Sequence, residues 1–117
     1  MMDHMINELA TWLEAGKGHT LIIHKGERKQ GEITDIDKIK LDLEDISVRR
    51  IEREDPDGYL ANAEVLLHGL GEISTDQGTM PLPQNIFEIP LLGDFHSSIV
   101  EDGLKIETEK AIYNIYK

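Results

Sequence analysis

Five histidines and several paired carboxylates are the residues of this chain with reactive chemistry to offer. His19 and His24 stand five apart, and on a strand an odd spacing sends two side chains to opposite faces, so they make a poor metal pair. His4 and His68 could join either of them only through the tertiary fold. His96-Ser97-Ser98 are sequence neighbours whose side chains alternate in direction on a strand, and no G-x-S-x-G elbow occurs, so a nucleophile–base pair has nothing to stand on. Asp55 and Asp57 open like a calcium loop, but Gly58 comes too early and no glutamate closes the loop at the required spacing. Asp35 and Asp37 share a face, as in any acidic turn. Glu101-Asp102 precede Gly103 in a turn pattern, where carboxylates are solvated rather than set up as acid and base. Gly69-Leu70-Gly71 lacks the third glycine and the following helix of a phosphate cradle, and instead marks a bend or a close backbone approach. Cysteine is absent, which removes disulfides, thiol catalysis and cysteine-based metal sites. The expectation is a chain that is not an enzyme and has no catalytic, cofactor-binding or metal site.

The charged residues read first as solvated strand faces that offset neighbouring acids, and solubility alone accounts for the negative total. Twelve Lys and Arg stand against 23 Asp and Glu, a net charge of −11 over 117 residues. Between Arg53 and Lys105 there is no base at all, while ten acids occur there. Nucleic-acid affinity rests on cations that displace counterions from phosphates, and this half of the chain has none to supply. The bases gather instead at Lys25, Arg28 and Lys29, at Lys38 and Lys40, and at Arg49, Arg50 and Arg53. Of these, Lys25, Arg28, Lys29 and Lys40 are the candidate contacts for RNA or another anion. The negative total repels anionic membrane surfaces. No apolar run approaches the roughly 18 residues of a membrane span, and Met1-Met2-Asp3-His4 lacks the basic opening of a signal peptide. A cytoplasmic location is expected.

The elements that must position these residues are one helix and a succession of strands. Ile6, Leu9, Ala10 and Leu13 fall on one helical stripe, which predicts a helix over 3–15 with Asp3 as N-cap and Gly16 or Gly18 as the stop. At roughly 13 residues such a helix is marginal alone and must lie against the rest of the chain. Leu21, Ile22 and Ile23 lead into a turn predicted at Lys25-Gly26-Glu27, with Gln30–Ile36 returning as a hairpin. Lys38–Glu44 alternates without error, the pattern of a half-buried strand. Ile46 and Val48 are then out of phase with Leu43, which calls for a bulge near Glu44-Asp45. Asp55-Pro56-Asp57-Gly58 predicts the turn of a long hairpin between 46–53 and 59–67. Residues 74–84 read as the one long loop. Strands resume at 86–92 and 95–100, turn at Asp102-Gly103, turn again at Glu109-Lys110, and end on 111–116. The six aromatic residues include Tyr113 and Tyr116 on opposite faces of that last strand, which suits core packing rather than a base-stacking platform.

One stretch carries a family likeness. His19–Asp37, with Gly31, Ile33, Ile36 and Asp37, followed by Leu41, Leu43 and Asp45, resembles the first motif of Sm-like proteins, and His68-Gly69 with Ile73 is similar to the second. Leu41 stands where that family has an asparagine. Over residues 3–73 the resemblance implies a small, strongly bent barrel and RNA binding, with Lys25, Arg28, Lys29 and Lys40 as the contacts.

The sequence therefore predicts a single α+β domain over 1–117: an N-terminal helix followed by a strongly bent antiparallel sheet, or a small partly open barrel, of about seven strands. Its expected role is protein–protein interaction or self-association, with a homodimer paired through an exposed C-terminal strand. The alternatives are an Sm-like RNA-binding module and an acidic mimic of DNA that occupies a basic partner. No cofactor and no membrane partner is expected, and nucleic acid ranks below a protein partner.

Overall fold

The computed structural model describes residues 2–29, 32–50, 61–92 and 95–117. Helix α1 (Met2–Glu14) opens the chain, and eight strands follow: β1 (Thr20–Lys29), β2 (Glu32–Arg50), β3 (Ala61–Thr75), β4 (Gly78–Pro81), β5 (Ile86–Leu92), β6 (His96–Val100), β7 (Gly103–Glu107) and β8 (Ala111–Tyr116). All pairings are antiparallel. The strand order is β4-β3-β2-β1-β8-β7-β6, with β5 also paired to β3. The lower half of β3 carries β5 (Leu67 opposite Phe87) and its upper half carries β4 (Ile73 opposite Met80).

Two strands are too long to be straight. A flat 19-residue strand would run about 60 Å, yet the longest extent of the molecule is 36 Å. β2 must bend, and the bend lies where the period-2 pattern slips: the β2–β3 register shifts between Leu43 and Asp45. The extra residue lets Ile39, Leu41 and Leu43 and then Ile46 and Val48 all turn to the core side. On β3 the matching positions are Gly69 and Gly71. A β-carbon on Gly69 would overlap the Asp42 carbonyl oxygen, and one on Gly71 would lie 2.5 Å from the Lys40 carbonyl oxygen, so the two strands approach there only because both residues are glycine. Lys17 fastens the bend to the end of the helix, reaching Glu14 at 2.9 Å and Asp45 at 3.0 Å.

Bending folds the apolar face of the sheet onto itself. Leu21 and Ile23 (β1), Ile39, Leu41 and Leu43 (β2), Val65 and Leu67 (β3), Ile89 and Leu91 (β5), Leu104 and Ile106 (β7) and Ile115 (β8) form one cluster with Ile6, Leu9 and Leu13 of α1. Phe87 and Tyr113, from strands that do not pair with each other, meet edge to face at 6.5 Å between ring centroids. The helix fills what the curled sheet leaves uncovered, and its stripe is the one read from the sequence.

The fold class differs from the α+β expectation. Of the 102 described residues, 71 are in strands and 13 in the α-helix, so this is a mainly antiparallel sheet with one short helix. Among the described residues it has eight strands rather than about seven, and β6 pairs only with β7, so the sheet is open and the partly open barrel named as the other form is not what is found. Three local readings change as well. β1 runs through Lys25-Gly26-Glu27 without turning, because Gly26 is paired on both sides, to Ile36 and to Ile112. The 74–84 loop contains β4 and a 3-10 turn at Pro83–Asn85. The C-terminal strand β8 lies between β1 and β7, so it is not an edge. The Asp55–Gly58 turn, Gly31 and the Asp3 side chain lie outside the described residues.

Candidate functional site

β1 alternates inward and outward until its final residues leave the core. Leu21 and Ile23 are buried, Lys25 on the same face is half-buried, and Glu27 beyond it is exposed. The β1–β2 register then shifts between Glu27 and Arg28, which re-aims Arg28. The end of β1 is held by β8 and the turn before it. The Arg28 N–H donates to the Lys110 carbonyl at 2.8 Å, and the Arg28 guanidinium donates to the Thr108 carbonyl at 3.1 Å. Thr108 is buried and organises this turn. Its hydroxyl accepts the N–H groups of Lys110 (3.2 Å) and Ala111 (3.1 Å) and donates to the Ala111 carbonyl (3.3 Å).

The result is a cleft of about 670 Å³ that brings Lys25, Arg28 and Lys29 together with Lys110 and Tyr113. The Lys25 ammonium lies 6.0 Å from the centroid of the Tyr113 ring. Tyr113 is buried and lines the cleft, its ring meeting Phe87 on the core side. Burial, reinforced by the negative charge of Glu27, pushes the Tyr113 hydroxyl up to about 12, so it stays a proton donor at neutral pH. The exposed acids Glu27, Asp35 and Glu88 share the lining. Among the described residues none of the four bases of the cleft lies in an ion pair, whereas Lys17, Arg49 and Lys105 each hold a carboxylate.

The structure thus gathers three of the four candidate anion contacts and separates the fourth: Lys40 lines a different hollow, with Asp42, Leu70 and Glu72. Sequence reading missed Lys110, Tyr113 and Thr108 as site residues. Among the described residues the histidines do not assemble. His68 shares a hydrogen bond of 2.8 Å with the Ser47 hydroxyl, and His24 packs edge to face on Tyr116 at 5.6 Å. Among the described residues no three His, Asp or Glu side chains gather as metal ligands, and no helix is long and apolar enough to cross a membrane.

A family model described as YmzB-like protein matches residues 2–117. The chain belongs to the YmzB-like protein family. It is 44% identical over 115 residues to a protein of Bacillus subtilis (strain 168) described as "Uncharacterized protein YmzB", a match that covers 97% of this chain and 96% of the relative. No solved structure matches.

A second feature lies at one margin of the described sheet. Among the described residues β6 is the terminal strand; His96, Ser98, Ile99 and Val100 are exposed and Ser97 is half-buried. Ile99 is 64% exposed and Val100 44%. Ile99 forms one wall of an apolar groove of about 430 Å³ whose other wall is α1, through Thr11, Trp12 and Ala15. Trp12 also carries the Lys117 ammonium, 4.5 Å from its ring centroid.

Proposed function

We propose that the protein is a non-catalytic, cytoplasmic binding domain that self-associates, and that two copies pair antiparallel through β6. The observation that carries this reading is the contrast among the edge strands of the described sheet. β4 and β5 include Pro81 and Pro90, and proline blocks the continuation of a ladder, a common guard against pairing with another chain. β6 (His96–Val100) has neither a proline nor a Lys, Arg, Asp or Glu. A chain of net charge −11 can meet its own copy only where like charges do not face one another, and an uncharged edge meets that requirement. Antiparallel pairing of β6 with β6 is self-complementary, as a two-fold dimer needs. It also carries the exposed Ile99 and the α1 groove towards the partner, adding apolar area to main-chain hydrogen bonds.

Light scattering across a concentration series tests the reading. The expected species is a dimer. Ile99→Glu puts an acid on the edge and is expected to give a monomer while leaving the thermal midpoint within a few degrees, because the side chain is exposed. A wild-type chain that stays monomeric into the millimolar range, or an Ile99→Glu chain that stays dimeric, refutes the proposal.

A further inference from the structure

We propose that the cleft between the end of β1 and the Thr108 turn is a binding site for a small organic phosphate. Four cations converge there without a carboxylate partner among the described residues, although acids outnumber bases almost two to one in the chain. Glu27, Asp35 and Glu88 stand on the same walls without pairing to these bases, so the cations remain available to an anionic ligand. The donor set suits a phosphate group. Arg28 is held by its bond to the Thr108 carbonyl, and its other guanidinium N–H groups have no partner among the described residues. Lys29 and Lys110 flank it as mobile point charges, and the Tyr113 hydroxyl adds a neutral donor. A dianionic tetrahedral group can accept from several such donors at once.

The remainder of the lining sets the size and character of the ligand. Pro90, Ala111 and the Tyr113 ring offer apolar surface to a carbon skeleton, and a volume of about 670 Å³ is in the range of small-molecule sites. Glu27, Asp35 and Glu88 on the same walls would repel a second phosphate placed further along a polymer. RNA is therefore disfavoured and a small monoester favoured, the acids excluding what the bases alone would admit.

Phenyl phosphate, inorganic phosphate and a single-stranded oligonucleotide, each titrated against the intact chain and followed by protein and phosphorus NMR, test this. Phenyl phosphate is expected to bind saturably and more tightly than inorganic phosphate. Lys29→Gln and Lys110→Gln, both exposed and remote from the core, should each weaken it about tenfold, and Tyr113→Phe by a few-fold. Lys40→Gln should leave binding unchanged, and Ile99→Glu should bind as the wild type does, which separates this site from β6 pairing. The inference is overturned by any of three results: no binding at tens of millimolar, undiminished binding in both lysine variants, or an oligonucleotide that binds more tightly than phenyl phosphate.

Discussion

At the scale of single residues, two positions carry consequences that a stability measurement can read. Gly69 lies where β3 crosses the bend of β2, and a β-carbon there has no space, since the obstructing atom is the Asp42 backbone carbonyl rather than a flexible side-chain end. Gly69→Ala should therefore cost about 3 kcal/mol in a denaturant melt. Gly18→Ala makes a useful contrast. Gly18 has a φ of +84° and nothing within 4 Å of the added carbon, so only backbone strain is at stake, about 1 kcal/mol. Equal losses would mean that β2 and β3 do not approach closely at Gly69. Tyr113 supplies a pH dependence of definite sign. Its hydroxyl ionises near 10.0 when unfolded and is pushed up to about 12 in the fold, so between those values the folded chain holds a proton that the unfolded chain has released. Stability from this group is full below about pH 10 and lost as pH climbs through about 12, a fall of roughly 2–3 kcal/mol. The melting temperature of Tyr113→Phe should decline less steeply over that interval than that of the wild type. Parallel declines would remove Tyr113 as the cause.

At the scale of elements, what could be read from the sequence was whatever depends on near neighbours. The stripe of Ile6, Leu9 and Leu13 gives the helix, and all three are buried. The phase slip after Leu43 gives the bulge, and the register shifts there. The alternation of Ala63, Val65 and Leu67 gives the second arm of the long hairpin. Misreadings arose where a long-range pairing outweighs a local signal. Lys25-Gly26-Glu27 has the composition of a turn, yet ladders on both sides hold it extended, and the missing side chain of Gly26 leaves room for Ile33, whose Cγ2 would lie 2.9 Å from an added β-carbon. The two prolines around Leu82 hid a short strand, because at an edge a proline ends a ladder without preventing it. The cleft shows the same limit. Lys25, Arg28 and Lys29 are visible as a local run, but their partner turn is 80 positions away along the chain. No periodicity links Arg28 to Thr108. The Glu109-Lys110 turn was itself legible; what could not be seen was that β8 would bring it against β1 rather than lie at the margin of the sheet.

At the scale of the whole molecule, the two proposed interactions respond to salt in opposite directions, and this sets them apart without a mutation. The chain carries −11, so bringing two copies together through β6 must work against repulsion between their remaining surfaces, even though the edge itself is uncharged. Raising the ionic strength from about 0.1 M to about 1 M shortens the screening length from roughly 10 Å to roughly 3 Å, which weakens that repulsion and leaves main-chain hydrogen bonds and apolar contacts largely intact. Dimerisation is expected to tighten with added salt. The cleft behaves in reverse, because its ligand is drawn by Lys25, Arg28, Lys29 and Lys110, and mobile anions both screen and compete for them. Phenyl phosphate should bind several-fold more weakly over the same range. Sedimentation equilibrium and the phosphate titration, run on one protein sample at matched salt concentrations, give both slopes. If dimerisation weakens with salt, its driving force is attraction between charges, and the assignment of the interface to the uncharged β6 edge fails. If phosphate binding is indifferent to salt, the four bases are not what holds it.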